Sequence, residues 1–209
     1  MNTNPWIDIT RPIYPGMPVW PGDQPVEERP LARIAAGDAY NLSGWVLGNH
    51  SGTHVDPPLH MLAGGKSVAE MDLESLCGPC RVLDLTHITT QVAEADLANA
   101  GGATRLLLKT PNSFADPTLF HEGYVALSLQ AALRLVEIGV RLIGTDGPSI
   151  EQFIAPGYPI HQAILGAEIA VVEGLDLSNV SAGEYEVICA PLRWRNGDGS
   201  PCRTLLRRI

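Results

Sequence analysis

Proline and glycine interrupt this chain so often, at 17 and 21 of its 209 positions, that no strongly apolar run outlasts a β-strand. The roughly 20 consecutive apolar residues of a membrane-crossing helix are missing, so a membrane protein is not expected. With 45% hydrophobic and 18% charged residues, residues 1–209 read as one soluble globular domain. A chain of this length buries roughly 70% of its unfolded surface. Met1–Pro5 carries neither a basic segment nor an apolar core before a cleavage site, and a cytoplasmic protein is the expectation. Fourteen basic against 23 acidic residues give a net charge of −9, with one basic cluster at Arg203, Arg207 and Arg208. Nucleic acid needs a broader basic footprint to neutralise its phosphates and is disfavoured as a partner. Four cysteines are too few for a disulfide scaffold.

The first 49 residues form a loop-rich arm. Trp6–Ile9 reads as a short strand, and Tyr14–Pro18 and Trp20–Asp23 each turn on Pro-Gly, so the arm is not expected to fold alone. Runs rich in Val, Ile or Leu predict strands at Trp45–Asn49, Arg81–Thr86, Arg105–Lys109, Val140–Thr145, Ile169–Val172 and Tyr185–Ala190. Periodicity predicts a helix over Leu129–Ile138, with Leu129, Ala132, Leu133 and Val136 on one face, Ser128 as N-cap and Gly139 past the end. A second is predicted over Gln91–Asn99, built on Val92, Ala95 and Leu97. Strands alternating with helices after a β-rich start predict an α/β domain with a mixed sheet.

The chemistry concentrates in His50-Ser51-Gly52-Thr53-His54-Val55-Asp56-Pro57-Pro58-Leu59-His60, which holds three of the chain's six histidines. Gly52 and Pro57-Pro58 exclude a regular helix, so His50 and His54 are not a helical i,i+4 pair. An extended backbone instead projects His54 and Asp56 from one face and Val55 from the other. His50 can join them across the Ser-Gly turn. Two imidazoles and a carboxylate suit Zn, Mn or Fe. His60 is placed near such a metal without needing to bind it, and an imidazole titrating near neutrality suits a general base and acid. Hydrogen-bonded structural histidines are the plainer account of any one of these residues, but not of the whole constellation.

Residues 50–60 resemble the His-x-Gly-Thr-His-x-Asp-x-Pro-x-His signature of the metal-dependent cyclase-like hydrolases, the family that includes bacterial kynurenine formamidase (arylformamidase). The resemblance extends through Trp6–Thr10, Pro18–Asp23, Gly78-Pro79, Gly144–Ser149, His161, Glu173–Leu175, Ala190–Leu192 and Gly199–Arg203. It implies a swivelling β/β/α domain assembled as a homodimer or homotetramer, with the arm reaching towards a neighbour. It also implies two divalent metals, Zn first and Mn or Fe as alternatives. His50, His54, Asp56, His161 and Glu173 would be the ligands, with Asp56 bridging. His60 would be the catalytic acid/base and Trp20 part of the substrate pocket. Taken alone, Glu173 ends the apolar run Ile169–Val172, where a buried acid is costly unless paired or metal-bound. The implied reaction is hydrolysis of a small-molecule amide, first N-formyl-L-kynurenine to L-kynurenine and formate; another cyclic amide or ester, such as isatin, is the alternative within the family.

Other motifs compete weakly. Cys77-Gly78-Pro79-Cys80 has the wording of a redox site, yet it leads into a strand rather than opening a helix. No Gly-x-Ser-x-Gly elbow offers a serine nucleophile. Asp146, at a strand end, reads as a turn residue that caps the following segment. A metal-binding module without catalysis is the other class of answer, and it has no use for His60.

Overall fold

A computed structural model describes residues 4–209; Met1–Thr3, part of the Met1–Pro5 segment expected to carry no secretory signal, lie outside the described residues. Twelve strands follow in chain order: β1 Ile7–Asp8, β2 Glu27–Ala32, β3 Leu42–Val46, β4 His54–Asp56, β5 Cys77–Asp84, β6 Gln91–Val92, β7 Arg105–Lys109, β8 Ala126–Leu127, β9 Leu142–Thr145, β10 Ala170–Glu173, β11 Gly183–Pro191 and β12 Ser200–Arg208, counted among the described residues. Three α-helices accompany them among those residues, α1 Leu73–Leu76, α2 Leu129–Glu137 and α3 Pro159–Gly166. None of the described helices is long and apolar enough to cross a membrane.

Seven strands form a barrel-like sheet in the order β12-β11-β5-β7-β9-β10-β4, which closes because β4 pairs with β10 on one side and β12 on the other. The segment from β5 to β10 is parallel and the remaining pairings are antiparallel, so the predicted mixed α/β sheet is present. β1 adds to β12, and β2 and β3 form a separate hairpin within the arm. Side-chain alternation divides the core in two. Val55, Leu107, Leu142, Val172, Val187 and Leu206 fill the inner cluster. Leu106, Leu108, Ile143 and Val171 face outwards beneath Ala131, Ala132 and Leu135 of α2 and Ile160, Ile164 and Leu165 of α3.

Three sequence expectations need correction. α2 has its predicted cap, with the Ser128 hydroxyl accepting from the Ala131 N–H at 3.1 Å. Its buried face, however, is Ala131, Ala132 and Leu135, while Leu133 is 53% exposed. The two alanines let the helix backbone approach the sheet, with Leu129 and Leu133 turned outwards. The predicted helix over 91–99 is instead β6 followed by a 3₁₀ segment, Glu94–Ala100. Val92 is drawn into a parallel pairing with β8, which takes the first residues of the predicted helix into a strand. The predicted strand Trp45–Asn49 lies earlier, as β3, because the chain turns before His50.

Candidate metal centre

The sheet closure positions the histidine-rich segment. Asp56, Val55 and His54 on β4 stand opposite Val171, Val172 and Glu173 on β10, so His54 and Glu173 are direct cross-strand partners. Val55 enters the inner core, which places His54, Asp56 and Glu173 on the outer face. Pro57 and Pro58 then start a 3₁₀ turn, Pro58–His60, that carries His60 back over His50, with ring centroids 4.1 Å apart. His161 enters from the first turn of α3. His50, His54, Asp56 and His60 of the β4 segment thus meet Glu173 of β10 and His161 of α3 at one place, including both positions that spacing alone could not join to residue 50.

His54 Nε2 lies 3.5 Å from Asp56 Oδ1 and 3.4 Å from Glu173 Oε2. His161 Nε2 lies 3.3 Å from Glu173 Oε1 and 3.9 Å from Asp56 Oδ2, and His50 Nδ1 lies 2.8 Å from Asp56 Oδ1. Donor atoms each about 2.1 Å from a tetrahedral ion stand about 3.4 Å from one another, which is close to the separations of His54 from Asp56 and Glu173 and of His161 from Glu173. His50, His54 and Asp56 can converge on one ion, and Asp56, His60 and His161 on another. Asp56 is fully buried, yet among the described residues its Oδ2 accepts no hydrogen bond. A buried carboxylate oxygen without a donor is costly, and a cation would satisfy it.

The electrostatics fit the same group. Burial pulls the imidazole of His54 down, but Asp56 and Glu173 outweigh it and raise the pKa to about 9. Burial likewise opposes the protonated form of His161, and Glu151 and Glu173 raise it to about 10. Burial raises Glu173, whereas His161 and His54 hold it well below the usual carboxylate range. Asp56, Glu173 and Glu151 therefore keep protons on two buried imidazoles, and a divalent cation could take the place of those protons. His60 differs: burial, with the neighbouring His50 and His161, lowers its pKa.

The sequence assigned no role to Ser149, Ile150 or Glu151, which support the centre. Ser149 and the Ile150 N–H donate to Glu173 Oε1 at 3.2 and 2.7 Å, and Glu151 Oε2 lies 2.9 Å from His161 Nδ1. Asp146 is a cap, but not of the following segment. Its carboxylate accepts from the N–H and hydroxyl of Thr110 and of Ser113, pinning the 3₁₀ turn Pro111–Phe114.

A cavity of about 800 Å³ opens onto the centre, lined by His50, His54, His60, His161 and Glu173. Trp20 forms its aromatic wall, with ring centroids 5.5 Å from Phe120, 6.5 Å from Tyr124 and 5.2 Å from Phe153. His121 lines this cavity too. Neither Cys77 nor Cys80 lines it; both lie on β5, and burial pushes the Cys80 thiol up to about 12.

Buried imidazoles and carboxylates beside a concave, partly aromatic cavity make a centre of the metal-dependent hydrolase class. The Cyclase family model matches residues 7–152. The chain is 37% identical over 207 residues to the kynurenine formamidase of Geobacillus thermodenitrificans, covering 99% of both chains. It superposes with a TM-score of 0.87 and 33% identity on a solved structure described as a potential metal-dependent hydrolase with cyclase activity, again over 99% of both. Isatin hydrolase A from Labrenzia aggregata shares the fold, with a TM-score of 0.85 at 22% identity over 98% of this chain and 94% of that one. The chain belongs to the Cyclase family.

Proposed function

We propose that this chain is a metal-dependent amidohydrolase that cleaves N-formyl-L-kynurenine to L-kynurenine and formate. The unpartnered, buried Asp56 Oδ2 among His54, His161 and Glu173 carries the reading, since this donor set has charge and spacing for a divalent cation. His50, His54 and Asp56 would hold one ion, and Asp56, His161 and Glu173 a second, with zinc as first choice and manganese or iron as alternatives. When bound, such ions supply Lewis acidity, polarising a carbonyl and lowering the pKa of water from about 15.7 towards about 7.

The remaining work belongs to the chain. His60, with its lowered pKa, is a proton acceptor at neutral pH; it takes the proton of the attacking water and returns it to the departing nitrogen. Trp20, Phe120, Tyr124 and Phe153 shape a wall for an aryl group, orienting the scissile carbonyl towards His60. Assembly as a homodimer or homotetramer in the cytoplasm completes the proposal. It draws support from the arm, where Leu31, Ile34 and Tyr40 are 67%, 59% and 60% exposed.

Elemental analysis, followed by N-formylkynurenine turnover before and after chelation, tests the whole. The expected result is about two metals per chain and chelator-sensitive release of kynurenine. His60→Ala should keep the metal and lose roughly 10²–10⁴ in kcat. Bound metal with turnover of isatin but not of N-formylkynurenine would replace the substrate, and a chain that takes up no metal would refute the centre.

A further inference from the structure

Glu151 has no part in the chemistry just described, yet it is a charged side chain only 2% exposed. It lies beyond the end of β9, and both of its oxygens face α3. Oε1 accepts from the Ile160 N–H at 3.1 Å, and Oε2 from the His161 N–H at 3.1 Å. These two contacts cap the helix, which an acid near any N-terminus can do. The third contact is particular to this place: Oε2 also lies 2.9 Å from His161 Nδ1, on the side of the ring away from Asp56 and Glu173.

His54 shows the same arrangement with a different partner. Its Nδ1 is 3.0 Å from the Gly52 carbonyl oxygen, while its Nε2 faces Asp56 and Glu173. A neutral imidazole carries one proton, and an acceptor at Nδ1 keeps it there, leaving the Nε2 lone pair free. Both inward-facing rings are therefore anchored from behind, one by backbone and one by a carboxylate. The carboxylate also makes its ring the more basic donor.

We propose that Glu151 is a positioning residue for the metal centre, holding His161 in the tautomer and orientation whose Nε2 lone pair points at Asp56 and Glu173. The inference rests on the centre binding metal. Its reach extends beyond capping: removing the carboxylate should weaken metal binding through His161 and through no other ligand.

The experiment titrates Zn²⁺, and separately Mn²⁺, into the metal-free full chain against a chromophoric chelator, with Glu151→Gln, His161→Ala and the double variant in parallel. Metal-free melting curves report the helix cap separately. Glu151→Gln should bind roughly 10–100-fold more weakly than the parent chain. In the His161→Ala background the same substitution should change affinity by less than about twofold, because the pair acts as one unit. Glu151→Asp keeps the charge with a shorter reach; it should bind more tightly than the Gln variant and serves in its place if Glu151→Gln does not fold. Unchanged affinity in Glu151→Gln, or an equal loss with and without His161, would overturn the proposal. A parent chain that binds neither ion would instead overturn the metal reading itself.

Discussion

Gly174 follows Glu173 directly and presses against the histidine-bearing segment, which makes Gly174→Ala a test of how tightly the centre is packed. Its φ is +68°, a left-handed conformation in which a β-carbon costs about 1–2 kcal/mol. That β-carbon would also lie 2.5 Å from the Gly52 carbonyl oxygen and 3.1 Å from its carbon, both backbone atoms. Neither strand can yield freely, since the Gly52 carbonyl is the acceptor for His54 Nδ1 and the Gly174 carbonyl accepts from the Thr53 hydroxyl at 2.6 Å. Forced overpacking adds about 1–3 kcal/mol, for a total of about 2–5 kcal/mol, which in a chain of this size lowers Tm by roughly 5–20 °C. Gly139→Ala isolates the conformational part, because Gly139 has φ +75° with nothing within 4 Å of the added carbon. Thermal melting of the metal-free proteins gives both costs, and chelator competition gives their affinities for Zn²⁺. Gly174→Ala should melt well below Gly139→Ala and bind metal more weakly, the latter through displacement of the Gly52 carbonyl from His54. Equal melting temperatures for the two variants would refute the packing argument.

The pH response has a defined sign. The metal-free fold keeps protons on His54 and His161 up to about 9 and about 10, whereas unfolded histidine releases them near 6.5. Their stabilisation is fully present below about pH 6.5 and lost as pH rises through 9 and 10, so Tm with chelator should fall across that window. Metal affinity should move the opposite way and tighten as pH rises, because the same protons must leave; chelator competition at stepped pH reads it. Trp20→Ala removes the centre of the aromatic wall and should raise KM for N-formylkynurenine roughly tenfold with a smaller effect on kcat, measured by steady-state kinetics. Mass spectrometry after thiol alkylation should find exposed Cys77 labelled well before buried Cys80, and the double Ser variant should hydrolyse substrate at the parental rate.

What the sequence discloses about this protein follows distance along the chain. His50, His54, Asp56 and His60 were legible because Gly52 and the two prolines restrict the backbone over one short window. His161 and Glu173 owed their place to the family resemblance, since only the pairing of β4 with β10 and the packing of α3 bring them to residue 50. Glu151 left no trace, and Ser149 entered only as the last residue of a resembling stretch: their contacts depend on a turn that meets α3 and β10 only in the folded chain. Among the strands, β12 escaped for a local reason. Cys202, Thr204 and Leu206 alternate inwards with Arg203 and Arg207, but the arginines read more readily as a basic cluster than as the outer face of a strand. The face of α2 was placed correctly at Ala132 but turned towards Leu129 and Leu133, whereas Ala131 and Leu135 complete the buried side.

The strand that closes the ring is three residues long, and its first and last side chains are His54 and Asp56. A slip of one residue at this seam would exchange both for their neighbours and send Val55 to the outer face. The chain thus has no room to change its pairing here while keeping its donors, and whatever binds between β4 and β10 rivets the ring shut. Amide exchange across that seam should slow more on metal loading than exchange within the β2–β3 hairpin, which turns the barrel closure itself into a gauge of occupancy.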